Sequence, residues 1–165
     1  MTRKVKNPKT KFILIAILIL GIICYLFLFW FPVSRGGNGA QAVIKAKQGE
    51  ARFYLQSMNQ SQRAYRIEHS SFTTEITALG IGMPKQTDSY AYSIIPSADS
   101  DHRVTHLAVA KQPDLRSYIS EVAVISGDTT ITIRCESKQP SQIAPLIPEF
   151  VNHSLACAPG SRALK

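Results

Sequence analysis

Acidic residues are missing from the first 35 positions, which carry six Lys or Arg and no Asp or Glu. From Gly36 onward 13 basic residues stand against 11 acidic ones, so this part is nearly balanced at about +2. The formal charge of +8 is therefore concentrated at the amino-terminal end, which argues against a nucleic-acid footprint on the remainder. Catalytic signatures are missing too. There is no Gly-rich phosphate loop, no His-Glu-x-x-His and no Cys-x-x-Cys. No Ser or Thr sits in a recognisable nucleophile elbow. His69, His102, His106 and His153 are scattered and read as exposed or capping residues. Asp99, Asp101 and Asp128 are too sparse for calcium, whose oxygen ligands come in a denser array. The sequence thus predicts no catalytic residue, no metal and no cofactor, and it contains no internal repeat.

Charge is also absent from Phe12 to Phe31, a run of twenty residues preceded by Arg3, Lys4, Lys6, Lys9 and Lys11. As a helix rising about 1.5 Å per residue, such a run reaches about 30 Å, the thickness of a bilayer's hydrocarbon core. The expectation is a transmembrane helix over 12–31, with residues 1–11 as a basic cytoplasmic leader and the rest of the chain across the membrane. Phe12 begins the anchor, and the aromatic group ending in Trp30 and Phe31 suits a headgroup interface. A removable signal peptide has a shorter apolar core, and the Ala40-Gln41-Ala42 triplet lies nine residues beyond Phe31. On this reading membrane lipid is a partner and the protein is single-pass, its C-terminal part periplasmic or thylakoid-lumenal.

Cysteine is scarce, with only three in the chain. Cys24 falls within the apolar run, which leaves Cys135 and Cys157 for the exported part, where an oxidising compartment favours pairing. Two thiols without further close-spaced Cys or His do not make a zinc site. The segment 32–39 combines Pro32 with Gly36, Gly37 and Gly39, which predicts a hinge. From Ala40 a helical pattern runs to Glu68 and His69, with Ile44, Ala51, Leu55, Met58 and Tyr65 on one face and Gln62 and Gly49 as flaws in the stripe. A short helical turn closed by Gly80 follows. Four strands are then predicted: around Tyr90–Ile94, over Val104–Ala110, over Tyr118–Ile125 and over Thr129–Cys135, the last two joined through Ser126-Gly127-Asp128. Ile131 and Ile133 are expected to face the core. The tail, with Pro140, Pro145, Pro148 and Pro159, reads as irregular chain wrapped over the domain and held by Cys157. Helix segregated from antiparallel sheet is an α+β arrangement.

An apolar helix running into an amphipathic one, then a four-stranded sheet and a Cys-closed tail, resembles a type IV pilin. The stretch Ala46-Lys47-Gln48-Gly49-Glu50-Ala51-Arg52 is similar to the cyanobacterial type IV pilin-like G and H family. So are Ser57-Met58-Asn59-Gln60-Ser61-Gln62-Arg63-Ala64-Tyr65, Tyr90-Ala91-Tyr92-Ser93-Ile94, Leu115-Arg116-Ser117-Tyr118 and Leu155-Ala156-Cys157. The likeness covers about residues 40–160. It implies a pilin-like fold: one long N-terminal helix, transmembrane in its first part, packed on a four-stranded antiparallel sheet, with 40–165 as the exported domain. The front end departs from the pilin pattern. Lys11 stands where a cleavage glycine is expected, Phe12 matches the first mature residue, and Ala16 replaces the glutamate five residues into the mature chain.

The function expected from these readings is a membrane-anchored, non-catalytic structural or interaction protein whose partners are envelope, pilus-machinery or membrane-complex subunits. The alternative is a small single-span accessory subunit of a large membrane complex. A third reading, enzyme or ligand receptor, has no convergent set of polar groups to support it. The exposed face of the helix, the 96–103 loop and the proline-rich tail are the expected contact elements.

Overall fold

The stripe of apolar residues along one helix organises the domain. The computed structural model of the chain describes residues 18–22, 25, 37–97 and 101–164. The chain divides into two compact units, Met1–Gly39 and Ala40–Lys165. In the first, residues 18–22 and 25 are helical. Helix α1 runs over Gly37–His69, with Arg66 and His69 in its last turn, where cationic side chains suit the negative end of the helix dipole. It stops at Ser70, which takes a left-handed φ of 59° while its N–H donates to the Arg66 carbonyl at 2.7 Å.

Ala51, Leu55 and Met58 are fully buried, and Ile44 and Tyr65 pack against the same core. The predicted stripe is therefore the packed face. Gln62, a flaw in that stripe, is buried and satisfied: its Nε2 donates to the Thr73 carbonyl at 2.6 Å and its Oε1 accepts from the Thr73 N–H at 3.1 Å. After α1 a one-turn 3-10 helix over Ile76–Leu79 ends on Gly80, whose φ of 66° is the left-handed cap expected there.

The sheet is built from β1 (Tyr90–Pro96), β2 (Arg103–Ala110), β3 (Tyr118–Ser126), β4 (Thr129–Ser137) and, after a small β5–β6 hairpin (Glu149–Val151 and Ser154–Ala156), β7 (Ser161–Ala163). The strand order is β1-β2-β3-β4-β7 and every pairing is antiparallel. Registers such as Tyr90 opposite Ala110 and Ala108 opposite Tyr118 put the large rings beside small residues. Tyr90, Tyr92, Ala108, Ala110 and Tyr118 thereby form the sheet's half of the core under α1. Tyr54 of α1 meets Tyr92 edge-on at 5.1 Å.

The opposite face of the sheet has its own core. Leu107, Ile119 and Cys135 lie beneath Ala144 and Cys157 of the tail, with Ile95, Val109 and Ile133 around them. Both faces are thus covered, one by helix and one by tail. Ile133 points to the tail side, and its neighbours Thr132 and Arg134 take the face toward α1.

Several expectations are corrected. The sheet has five strands rather than four, because β7 pairs with the outer edge of β4. The tail is not irregular throughout, since it contains β5, β6 and β7. Gly37 and Gly39, expected in a hinge, belong to α1, while Pro32 and Gly36 lie outside the described residues. Among the described residues no helix is long and apolar enough to cross a membrane. The long helix, α1, carries Lys45, Lys47, Glu50, Arg52, Arg63, Arg66 and Glu68, charges that a spanning segment does not tolerate. The expectation of a transmembrane helix over 12–31 is corrected to the extent of that finding: the described residues, which include 18–22 and 25 of the run, hold no spanning helix, the rest of the run lies outside them, and the membrane-lipid partner, the single-pass placement and the single-span accessory subunit are not carried further. The anchor residues Phe12, Trp30 and Phe31, like Lys11 and Ala16, lie outside the described residues.

Candidate interaction surfaces

The domain holds three polar arrangements, and their geometry decides what they can do. The first lies between α1 and the sheet. Ser120 on β3 donates its hydroxyl to Asn59 Oδ1 at 2.9 Å and approaches His106 Nδ1 at 3.5 Å. His106 is completely buried, not exposed or capping as the sequence implied. Burial lowers its pKa from 6.5 to about 3, so the imidazole is neutral at ordinary pH. Asn59 is buried as well. Ser120 and His106 are completely buried, and the hydrogen bond to Asn59 ties α1 to β3.

The second arrangement lies under the tail. Glu121 on β3 is fully buried and ion-paired with Arg103 on β2. Arg103 Nη2 also donates to the Pro148 carbonyl at 3.3 Å, and its guanidinium lies 5.3 Å from the centre of the Phe150 ring. Burial raises the Glu121 carboxyl above the usual range, with Arg103 pulling the other way. The pair latches the β5–β6 hairpin to the back of the sheet. Beside it the Cys135–Cys157 disulfide, with Cα atoms 5.8 Å apart, joins β4 to the tail.

The third arrangement is at the surface. An open cleft of about 410 Å³ is lined by Arg52, Glu136, Arg162, Ala163 and Leu164. A second, of about 280 Å³, is lined by Gln56, Asn59, Gln60, Arg63, Thr132 and Arg134. In the wall of the second, Arg134 Nη1 donates to Gln56 Oε1 at 3.1 Å. The tail shapes a further open cleft of about 520 Å³ bounded by Pro140, Ile143, Pro145 and Pro159.

The buried tyrosines are structural. The Tyr90 hydroxyl donates to the Arg116 carbonyl at 3.1 Å, and burial pushes the Tyr118 phenol up to about 12. Of the remaining histidines, His69 stacks on Tyr65 at 4.0 Å and His153 meets the Phe150 ring edge-on at 6.4 Å. Asp128 pairs with Arg66 at 3.3 Å, Asp101 is exposed, and Asp99 lies outside the described residues. Among the described residues no group of three metal-ligating side chains comes together.

The matched region fits this geometry. The family described as type IV pilin-like G and H matches residues 48–158, from the middle of α1 to just past the disulfide. The chain belongs to that family. The description is that of a pilin-like, structural family and names no reaction. No curated protein and no solved structure matches the chain. The resemblance read from the sequence is therefore correct for this pilin-like chain. Sequence reasoning missed Glu121, Arg103 and His106. Each sits in an apolar strand pattern, and only the pairing of β2 with β3 reveals what surrounds it.

Proposed function

We propose that residues 40–165 form a non-catalytic, pilin-like interaction domain that docks on other protein subunits through the exposed sides of α1 and the tail. One observation carries the reading. Large apolar side chains lie outside both cores in two groups: Val43, Phe53 and Ile67 on α1, and Ile143, Leu146, Ile147 and Val151 on the tail. Ile143 is 77% exposed and Ile67 71%, well beyond what packing within the domain requires. Clustered exposed apolar residues mark contact surfaces more often than scattered single ones do. The four on the tail fall within nine positions.

Site-specific photocrosslinking in the native host tests the reading. A photoreactive phenylalanine analogue at position 53 or 143 is expected to give a discrete higher-mass adduct, and the same analogue at exposed Thr77 none. Full-length chain that remains uncrosslinked at both positions and runs as a monomer in native gels would refute it.

A further inference from the structure

The charged side chains on α1 and the β4–β7 edge are unevenly matched. Arg52, Arg63, Arg66, Arg134 and Arg162 lie along this side, the carboxylates paired with them are Glu136 and Asp128, and Glu50, two positions from Arg52, accepts from the Tyr92 hydroxyl at 3.3 Å. Arg162 pairs with Glu136 at 2.7 Å and Arg66 with Asp128 at 3.3 Å. Arg134 donates to an amide rather than a carboxylate, and Arg52 and Arg63 have no carboxylate partner among the described residues. Three guanidiniums therefore line the groove marked by the two clefts without a paired carboxylate, Glu136 in the first cleft being taken by Arg162. Arg52 lines the first cleft, and Arg63 and Arg134 line the second, whose wall includes the Gln56–Arg134 hydrogen bond.

We propose that this groove binds an extended acidic segment of a partner protein, one carboxylate at Arg52 and another at Arg63. The inference rests on the interaction-domain reading above and names the partner's chemistry. Arg52 and Arg63 are eleven positions apart on α1, about 16 Å at about 1.5 Å per residue. An extended peptide covers that distance in about five residues. Guanidinium forks bind carboxylates through two parallel hydrogen bonds. Gln56, Gln60 and Thr132 between them offer both donors and acceptors, which matches a peptide backbone. A nucleic acid fits less well. Its run of phosphates would pass Glu136, and among the lining residues there is no aromatic ring on which a base could stack.

Titrating the full chain with the fluorescent hexapeptide Glu-Ser-Thr-Ser-Thr-Glu, followed by anisotropy, tests this. Saturable binding at low ionic strength is expected, weakening as salt is raised. Arg52→Ser and Arg63→Ser should each weaken it about tenfold. Both side chains are exposed, so circular dichroism should show an unchanged fold, and Arg63→Lys should restore only part of the loss. Equal binding to the double Ser variant, or none to the native chain, would overturn the proposal. So would displacement of the peptide by self-association of the chain, or tighter binding of a single-stranded hexathymidylate. Adducts at positions 53 or 143 without peptide binding would sink the groove and leave the interaction domain standing.

Discussion

His106 sits between α1 and the sheet, where among the described residues its ring meets Ser120 and, through it, Asn59. Its folded pKa of about 3 lies below the unfolded value of 6.5. Between those values the unfolded chain holds a proton that the folded chain does not. The neutral imidazole's contribution is complete above 6.5 and is lost as pH falls toward 3, with a limiting slope of about 1.4 kcal/mol per pH unit. Glu121 acts in the opposite sense above 4.5, because its raised folded pKa makes the native state bind the proton more tightly. Comparing the native chain with His106→Gln separates the two. Urea denaturation from pH 7 to 4 is expected to show a steeper loss in the native chain, and parallel curves would contradict the assignment. Gln62 offers a second test. Gln62→Leu leaves the buried Thr73 N–H and carbonyl without their partner, so a loss of about 1–3 kcal/mol is expected in the same assay. The sequence showed Gln62 only as a polar interruption, because its partner lies in a loop that carries no pattern of its own.

At the scale of elements, α1 was the most legible part of the chain. Its stripe of Ile44, Ala51, Leu55, Met58 and Tyr65 spans many turns, and a long periodicity survives local exceptions. Leu55→Ala should cost about 2–5 kcal/mol by opening a cavity under the tyrosines, whereas Phe53→Ala, at a position 65% exposed on the opposite face of α1, should stay within about 0.5 kcal/mol. Thermal unfolding followed by circular dichroism distinguishes them. The Gly80 cap was legible as well, since few residues other than glycine adopt its φ of 66°. A Cβ there would meet nothing within 4 Å, so the cost of Gly80→Ala, about 1 kcal/mol, should come from the backbone alone. Strand β7 was not legible. Ser161, Arg162 and Ala163 have no alternation to read, and their extended state comes from pairing with Cys135, Glu136 and Ser137. The Arg162–Glu136 ion pair and the Leu164 N–H donated to the Arg134 carbonyl at 2.9 Å hold them there.

At the scale of the whole molecule, the disulfide ties the tail to β4 on the face of the sheet opposite α1. It closes 22 residues of chain and on loop entropy contributes about 3 kcal/mol. Reduction, or the paired Cys135→Ser and Cys157→Ser changes, should lower the urea midpoint accordingly. It should also speed amide exchange in β5–β7 before α1 is affected, because Cys157 belongs to the back core that the tail covers and α1 packs on the other face. Exchange that rose uniformly would show that the tail is not a separable layer. What the sequence determined by itself was the helix, the first four strands, the cysteine pair and the family, for these rest on periodicity, turn chemistry and order along the chain. What only the tertiary structure decided was the fifth strand, the second core beneath the tail, the burial of His106 and Glu121, and the meeting of Arg63 and Arg134 in one cleft. Those features depend on residues far apart in the chain meeting across a sheet, and no local pattern encodes which face of a strand another segment will cover.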